Sequence, residues 1–316
     1  MIMKFGVVMD PIESIAFKKD SSLAILLKAQ ERGHELVYME PDSLFLTEKG
    51  PYAKVYDVLV KDDPNDWFSL ENERITPLEE LDLIIMRQDP PFDSSYIYNT
   101  YVLDQAETRG VKVVNKPSSL RDCNEKVFAT EFPQCCTPFL VSSDEDLLRE
   151  FINTHGDTVI KPLDGMGGSS IFRLKKGDSN IGVILETITN HFETKVMIQR
   201  YIKEIKDGDK RILLVDGNHF GAAISRVPAK GELRGNLAVG ATAIASSLTE
   251  KDIWICEQVA PMLREKELTL VGLDVIGDYL TEINVTSPTC FREYKELCDI
   301  DVADKLLKVL ESKASG

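Results

Sequence analysis

Glu282 and Asn284 stand two positions apart in TEINV, a stretch that is otherwise largely apolar. Residues i and i+2 of a strand face the same side, so both oxygens can address one ion. Asp274, in the preceding run VGLDVIGD, joins them only if the hairpin register permits it. A two-residue turn at Gly277-Asp278 sets 274 opposite 281, whereas a three-residue turn over 277–279 sets it opposite 282. A shared site therefore requires the three-residue turn or a bulge. An all-oxygen set without histidine suits Mg²⁺, a hard cation that also takes phosphate oxygens. The competing reading is a solvated hairpin face.

A second feature is the run from Lys161 to Ser170, KPLDGMGGSS, between two strand-like segments. Its glycines, Gly165, Gly167 and Gly168, with Ser169 beside them, let backbone N–H groups approach an anion closely. A flexible hairpin tip would use the same residues. Cations form the third feature: Lys126, Lys161, Lys210, Arg211, Arg226 and Arg234 all fall near loops or strand ends. A triphosphate carries about four negative charges and calls for several such partners plus a metal.

Several chemistries are excluded. The GxxxxGK[ST] phosphate loop is absent, and a strand rather than a helix follows the glycines, so this is no dinucleotide fingerprint. The four histidines offer no nucleophile–base–acid arrangement. Six cysteines lack CxxC spacing, which argues against zinc or a disulfide scaffold and for a reducing, cytoplasmic setting. The adjacent Cys135 and Cys136 read as small packing residues rather than a redox pair. With 37 Lys and Arg against 52 Asp and Glu, the net charge of −15 disfavours nucleic acid as a partner. No apolar run is long enough for a membrane helix.

The elements that must position these residues can be read in order. KFGVVM (4–9) and ELVYME (35–40) are strands flanking a helix that Asp20 or Ser21 caps and Gly33 stops, a parallel βαβ unit. Residues 41–80 are weakly patterned, and KDDPNDWFSLENERITP reads as surface loop. LDLIIMR (81–87), a helix over 94–109 and VKVVN (111–115) complete an open α/β domain. RDCNEKVFATEF reads as a short helix. TPFLVSS, the helix 144–156, the two strands around the glycine loop, a helix near 181–191 and VMIQRYI (196–202) form a small α+β lobe. A hairpin through Asp216-Gly217 follows, then a long loop over 227–247. A Thr249-capped helix, the 271–285 hairpin and a helix over about 301–313 complete the chain.

Taken together, the segments MDPIESIAFKKDSS, MRQDPPFD, VVNKPSSLRDCNEK, KPLDGMGGSSIFR, DGDKRILLVDG, RGNLA, VGLDVIGD and TEINVTSPTC resemble the bacterial glutathione synthetase family, on the ATP-grasp fold. They run in order from about residue 7 to 292. The resemblance implies mixed α/β and α+β architecture. An open parallel α/β domain over 1–121 precedes a small central lid lobe over 122–203. The C-terminal ATP-binding lobe, 204–316, carries the metal site and a mobile loop over 227–247. It further implies that Lys126 and Lys161 contact ATP, that loop 164–170 covers its phosphates, and that Gln199, Tyr201 and Ile202 form the adenine slot. Asp209 would meet the ribose or phosphate side. Arg211, Arg226 and Arg234 would serve the transferring phosphoryl group and the lid, and Asp274, Glu282 and Asn284 would hold Mg²⁺, with Mn²⁺ as a substitute.

The implied reaction joins glycine to γ-glutamylcysteine through an acyl phosphate, releasing ADP and phosphate. Arg87 in MRQDPP is a candidate for a substrate carboxylate, with a core-edge ion pair as the equal alternative. Gly235, Asn236 and Ser287 are further substrate candidates. The resemblance also implies a homo-oligomer, tetramer or dimer. One departure stands out: where the family's lid continues past GNLA with a Gly-Gly-Arg run and a further Arg, this chain has VGATAIASSLT. Two other readings stay open, a different ATP-grasp carboxylate–amine ligase and a nucleotide-binding regulatory module without catalysis.

Overall fold

Apolar runs with little polar interruption build the heart of the first sheet, because strands covered on both faces need no polar side. In the computed structural model, which describes residues 2–165, 167–232, 234–235, 237 and 240–314, strand β1 is Lys4–Val8. Helix α1 (Ser21–Glu31) follows, with Asp20 accepting a hydrogen bond from the backbone N–H of Leu23, a cap worth about 1 kcal/mol. Gly33 turns the chain at φ +83° into β2 (Glu35–Met39), parallel to β1.

The segment read as weakly patterned is not loop. After β3 (Leu44–Thr47) come two long antiparallel strands, β4 (Gly50–Val60) and β5 (Phe68–Pro77). The charged run of β5 lies on an exposed sheet edge, so its pairing leaves no apolar alternation to read. Strands β6 (Leu83–Met86) and β7 (Lys112–Val114), with α2 (Ser94–Glu107) between, complete the sheet in the order β3-β4-β2-β1-β6-β7, with β5 beyond β4.

The single short helix expected over RDCNEKVFATEF is also corrected. Helix α3 (Pro117–Asp122) stops there, and a 3₁₀ turn over Phe128–Glu131 follows. Between them Asn124 accepts hydrogen bonds from the N–H groups of Lys126 and Val127, competing with helical pairing. The break exposes Glu125 and Lys126 to the centre of the molecule.

The second sheet has the order β10-β9-β11-β8, all antiparallel. Its strands are β8 (Phe139–Ser142), β9 (Asp157–Pro162), β10 (Phe172–Lys175) and β11 (Val196–Arg200), backed by α4 (Glu145–His155) and α5 (Ile181–Ile188). Leu148, Ile152, Ile160, Leu185 and Ile198 form a small core of their own.

The third sheet contains β12 (Asp209–Val215), β13 (Asn218–His219), β14 (Ala222–Val227), β15 (Thr242–Ser247), β16 (Leu270–Ile276) and β17 (Tyr279–Asn284). Its order is β15-β14-β12-β16-β17, with β13 on β12. Strand β15 corrects the loop expected over 227–247: residues 242–247 pair with β14 as an edge strand. Helix α6 (Glu250–Glu265) begins with a Thr249–Asp252 capping box, and α7 (Phe291–Cys298) and α8 (Val302–Ala314) follow the sheet.

The first and third sheets share a continuous core: Leu213 and Leu270 pack in one cluster with Phe5 and Leu83, together with Leu23 of α1 and Leu306 of α8. All six cysteines are free thiols, and Cys135 is buried. Among the described residues no helix is long and apolar enough to cross a membrane.

Candidate functional site

The register of the β16–β17 hairpin decides whether three oxygens meet. Ile276 pairs with Tyr279 across a two-residue turn, yet Asp274 pairs with Glu282 and Gly272 with Asn284. A bulge between Asp274 and Val275 on the ladder reconciles the two, with Thr281 as the extra residue. Thr281 Oγ1 donates to the Asp274 carbonyl (3.1 Å), tying the bulge closed. Asp274, Glu282 and Asn284 consequently share one sheet face.

That face is dense with charge. Arg211 on β12 donates from Nε to Asp274 Oδ1 (2.6 Å), and Arg226 on β14 reaches Asp274 Oδ2 (2.9 Å) and Asp209 Oδ2 (2.5 Å). Burial works against an ionised Asp274, but the two guanidinium groups hold its carboxyl well below the usual range. Burial pushes Asp209 upward against the pull of Arg226, and its Oδ1 has no hydrogen-bond partner. Gly235 comes so close that a Cβ there would sit 2.7 Å from the Asp209 Cβ, a contact only glycine permits.

From the second sheet, Lys161 at the end of β9 reaches Glu282 Oε1 (3.2 Å) and the Thr281 carbonyl (3.2 Å). Lys126 lies 3.8 Å from the same carboxylate oxygen and donates to the Gly165 carbonyl (2.7 Å). Burial opposes an ionised Glu282, and the two ammonium groups lower its pKa nonetheless. Asn284 donates from its amide to the Gly272 carbonyl (3.1 Å), which turns its Oδ1 away from that bond.

These parts enclose one cavity of about 710 Å³. Gly165, Gly167, Gly168 and Ser169 border it on one side, and Gln199, Tyr201 and Ile202 at the end of β11 on another. Arg173 stacks its guanidinium 3.6 Å from the centroid of the Tyr201 ring. Asp209, Arg211, Arg226, Arg234, Gly235, Asp274, Glu282 and Asn284 line the third sheet's side. Arg234, at the rim, pairs with Glu232 (2.7 Å). Asn236 lies outside the described residues.

Arg87 and Ser287 border the end nearest the first sheet. Arg87 is buried, donates to Ser22 Oγ (3.0 Å) and the Pro288 carbonyl (3.1 Å), and keeps its second terminal nitrogen unpartnered. Burial lowers its pKa. Among the described residues the Arg87 guanidinium forms no core-edge ion pair, the alternative for this side chain: both its hydrogen-bond partners are neutral oxygens.

Asp10, Arg173, Glu125 and Cys290 also line the cavity and carried no separate sequence signal; Asp20, read only as a helix cap, lines it too. Glu125 had the nearest thing to one, its place beside Lys126 in RDCNEK. The donor set fits Mg²⁺: hard oxygens from Asp274, Glu282 and Asn284 on one face, with cations already gathered for phosphate.

Comparison with known proteins gives the family. The family described as prokaryotic glutathione synthetase, N-terminal domain, matches residues 3–121, and its ATP-grasp domain matches residues 125–299. The glutathione synthetase of Pseudomonas putida is 56% identical over 313 residues, covering 99% of both chains. That of Pseudomonas aeruginosa is 55% identical over 316 residues, covering 100% of both. Among solved structures, D-cycloserine synthetase DcsG superposes with a TM-score of 0.69 at 12% identity, covering 98% of this chain and 99% of that one. The ATP-grasp ligase PsnB, complexed with minimal precursor, Mg and ADP, gives 0.63 at 16% identity, covering 99% and 98%. The chain belongs to the prokaryotic glutathione synthetase family of ATP-grasp, ATP-dependent ligases.

Proposed function

We propose that the cavity joins the cysteinyl carboxylate of γ-glutamylcysteine to the amine of glycine, using ATP and Mg²⁺. The observation that carries this is the gathering of Lys126, Lys161, Arg211 and Arg226 around Asp274 and Glu282, beneath a glycine loop. Gln199, Tyr201 and Ile202 hold the adenine end, with Asp209 toward the ribose or phosphates. Lys126, Lys161 and the N–H groups of loop 164–170 hold the triphosphate. Asp274, Glu282 and Asn284 hold the metal, which when bound neutralises phosphate charge. Mn²⁺ would satisfy the same oxygens.

The dipeptide's carboxylate attacks the γ-phosphorus and ADP leaves. The glycine amine then attacks the resulting acyl phosphate, and phosphate departs with the electron pair of the broken C–O bond. No protein nucleophile is needed. The chain orients the reactants, spreads positive charge from Arg211 and Arg226 over the transferring group, and excludes water that would hydrolyse the mixed anhydride. Arg234, Gly235 and Asn236 belong to the segment that closes over the reaction, and Arg87 and Ser287 face the dipeptide. The unpartnered nitrogen of Arg87 supports that last role.

We also read three working units, 1–121, 122–203 and 204–316, in a cytoplasmic homo-oligomer. The central unit's separate core supports its movement as a lid. The test is ADP release with Mg-ATP, γ-glutamylcysteine and glycine, each omitted in turn, with product mass checked. Turnover indifferent to glycine would defeat the assignment.

A further inference from the structure

The break after α3 leaves Asn124 and Glu125 without a role in the proposed reaction, yet both side chains are hydrogen-bonded to distant parts of the chain. One oxygen of Glu125, Oε1, accepts three hydrogen bonds: from the N–H of Val285 (3.0 Å), the N–H of Thr286 (3.1 Å) and Thr286 Oγ1 (2.8 Å). The Glu125 carbonyl accepts a fourth, from the Ile283 N–H (2.9 Å). Asn284 lies between these anchored neighbours. A strand end with no further ladder partner is thus held by one carboxylate from a different part of the chain.

The neighbouring residue grips the opposite wall. Asn124 donates to the Leu163 carbonyl (3.0 Å), at the root of the glycine loop, while Lys126 holds the Gly165 carbonyl within it. Three consecutive residues therefore connect the loop over the phosphates to the strand that carries Glu282 and Asn284.

We propose that Glu125 and Asn124 are positioning residues: Glu125 fixes the strand end that presents Asn284 to the metal, and Asn124 fixes the root of the phosphate loop to the same point. The proposal rests on Asp274, Glu282 and Asn284 being the metal oxygens. A partner that orients a metal ligand without touching the ion typically changes metal affinity by about 10- to 100-fold when removed.

The test measures binding rather than turnover. Mn²⁺ is titrated into the full chain with ADP present and free Mn²⁺ followed by electron paramagnetic resonance; ADP binding without metal is measured in parallel. Glu125→Ala is expected to weaken Mn²⁺ about tenfold or more while metal-free ADP binding stays within about twofold. Asn124→Ala is expected to do the reverse. Glu125→Gln keeps an acceptor oxygen for the same donors and should stay within about threefold of the unaltered chain.

If Glu125→Ala does not fold, Thr286→Val removes one of the three donors and should weaken Mn²⁺ by about threefold. Mn²⁺ affinity unchanged in Glu125→Ala, or in Thr286→Val where that variant stands in, would overturn the proposal. So would Glu125→Gln losing as much as Glu125→Ala. Glu282→Gln is the control for the underlying reading. If the unaltered chain and Glu282→Gln take up Mn²⁺ equally, the metal assignment itself fails, and this inference with it.

Discussion

Asp274 and Glu282, facing each other across one hairpin, are neutralised in different ways. Asp274 is held by Arg211 and Arg226, which stand on β12 and β14 of its own sheet, so the cluster forms as that sheet forms. Glu282 is held by Lys161 and Lys126, which arrive from β9 and from the break after α3. The first half is preassembled and buried. The second is assembled from two other parts of the chain, which must meet the third sheet before Glu282 is neutralised. Arginine suits the first half, where planar donors meet a carboxylate at two points; lysine, a point charge on a flexible stem, suits the half drawn from separate elements.

This contrast can be broken from the largest effect downward. Arg226→Ala strips a cation from two buried carboxylates and should cost about 3–5 kcal/mol of stability as well as turnover. A urea unfolding midpoint equal to that of the unaltered chain would contradict it. Asp274→Asn should likewise lose both, because Arg211 is left buried without a carboxylate while Arg226 keeps only Asp209; stability held at the original level would show that the arginines relax freely.

Glu282→Gln should separate the properties. Turnover is expected to fall by about 10²-fold while the unfolding midpoint moves little, since its lysines can turn toward the cavity. Parallel loss in ADP release and in thermal melting would erase the distinction between the halves. Lys161→Met should weaken ATP by about tenfold with folding intact, as measured by calorimetric titration. The smallest effect concerns the rim: Thr242→Arg, at the exposed start of β15, should change the glycine KM by less than about fivefold. A larger drop would give the missing lid arginines real weight.

The site was more legible than some of the scaffold. The parity argument on Asp274, Glu282 and Asn284 required a three-residue turn or a bulge, and the hairpin has the bulge, with Thr281 as its extra residue. Residue types constrain a shared oxygen face strongly because only one register makes it. Strands β5 and β15 were illegible for the opposite reason. Both lie at sheet edges with a solvated face, so backbone pairing stabilises them while their side chains keep the composition of loops. The interruption after α3 was hidden in a helix-compatible run, since nothing local reveals that Asn124 will bond its own backbone and Leu163.

The contact between α1 and α8 carries a consequence for how the molecule is made. Arg32, just past α1, grips Glu311 across a separation of 279 residues (2.8 Å), and also Asp304. His34 accepts from the Met3 N–H and meets Glu311 at 3.0 Å. Leu306 and Leu310 close the same core that Leu23 and Leu26 open. On the ribosome, the first βαβ unit therefore emerges long before the helix that seals its outer face. Until residue 311 clears the exit tunnel, that apolar surface waits in water, open to whatever else in the cell covers nascent chains.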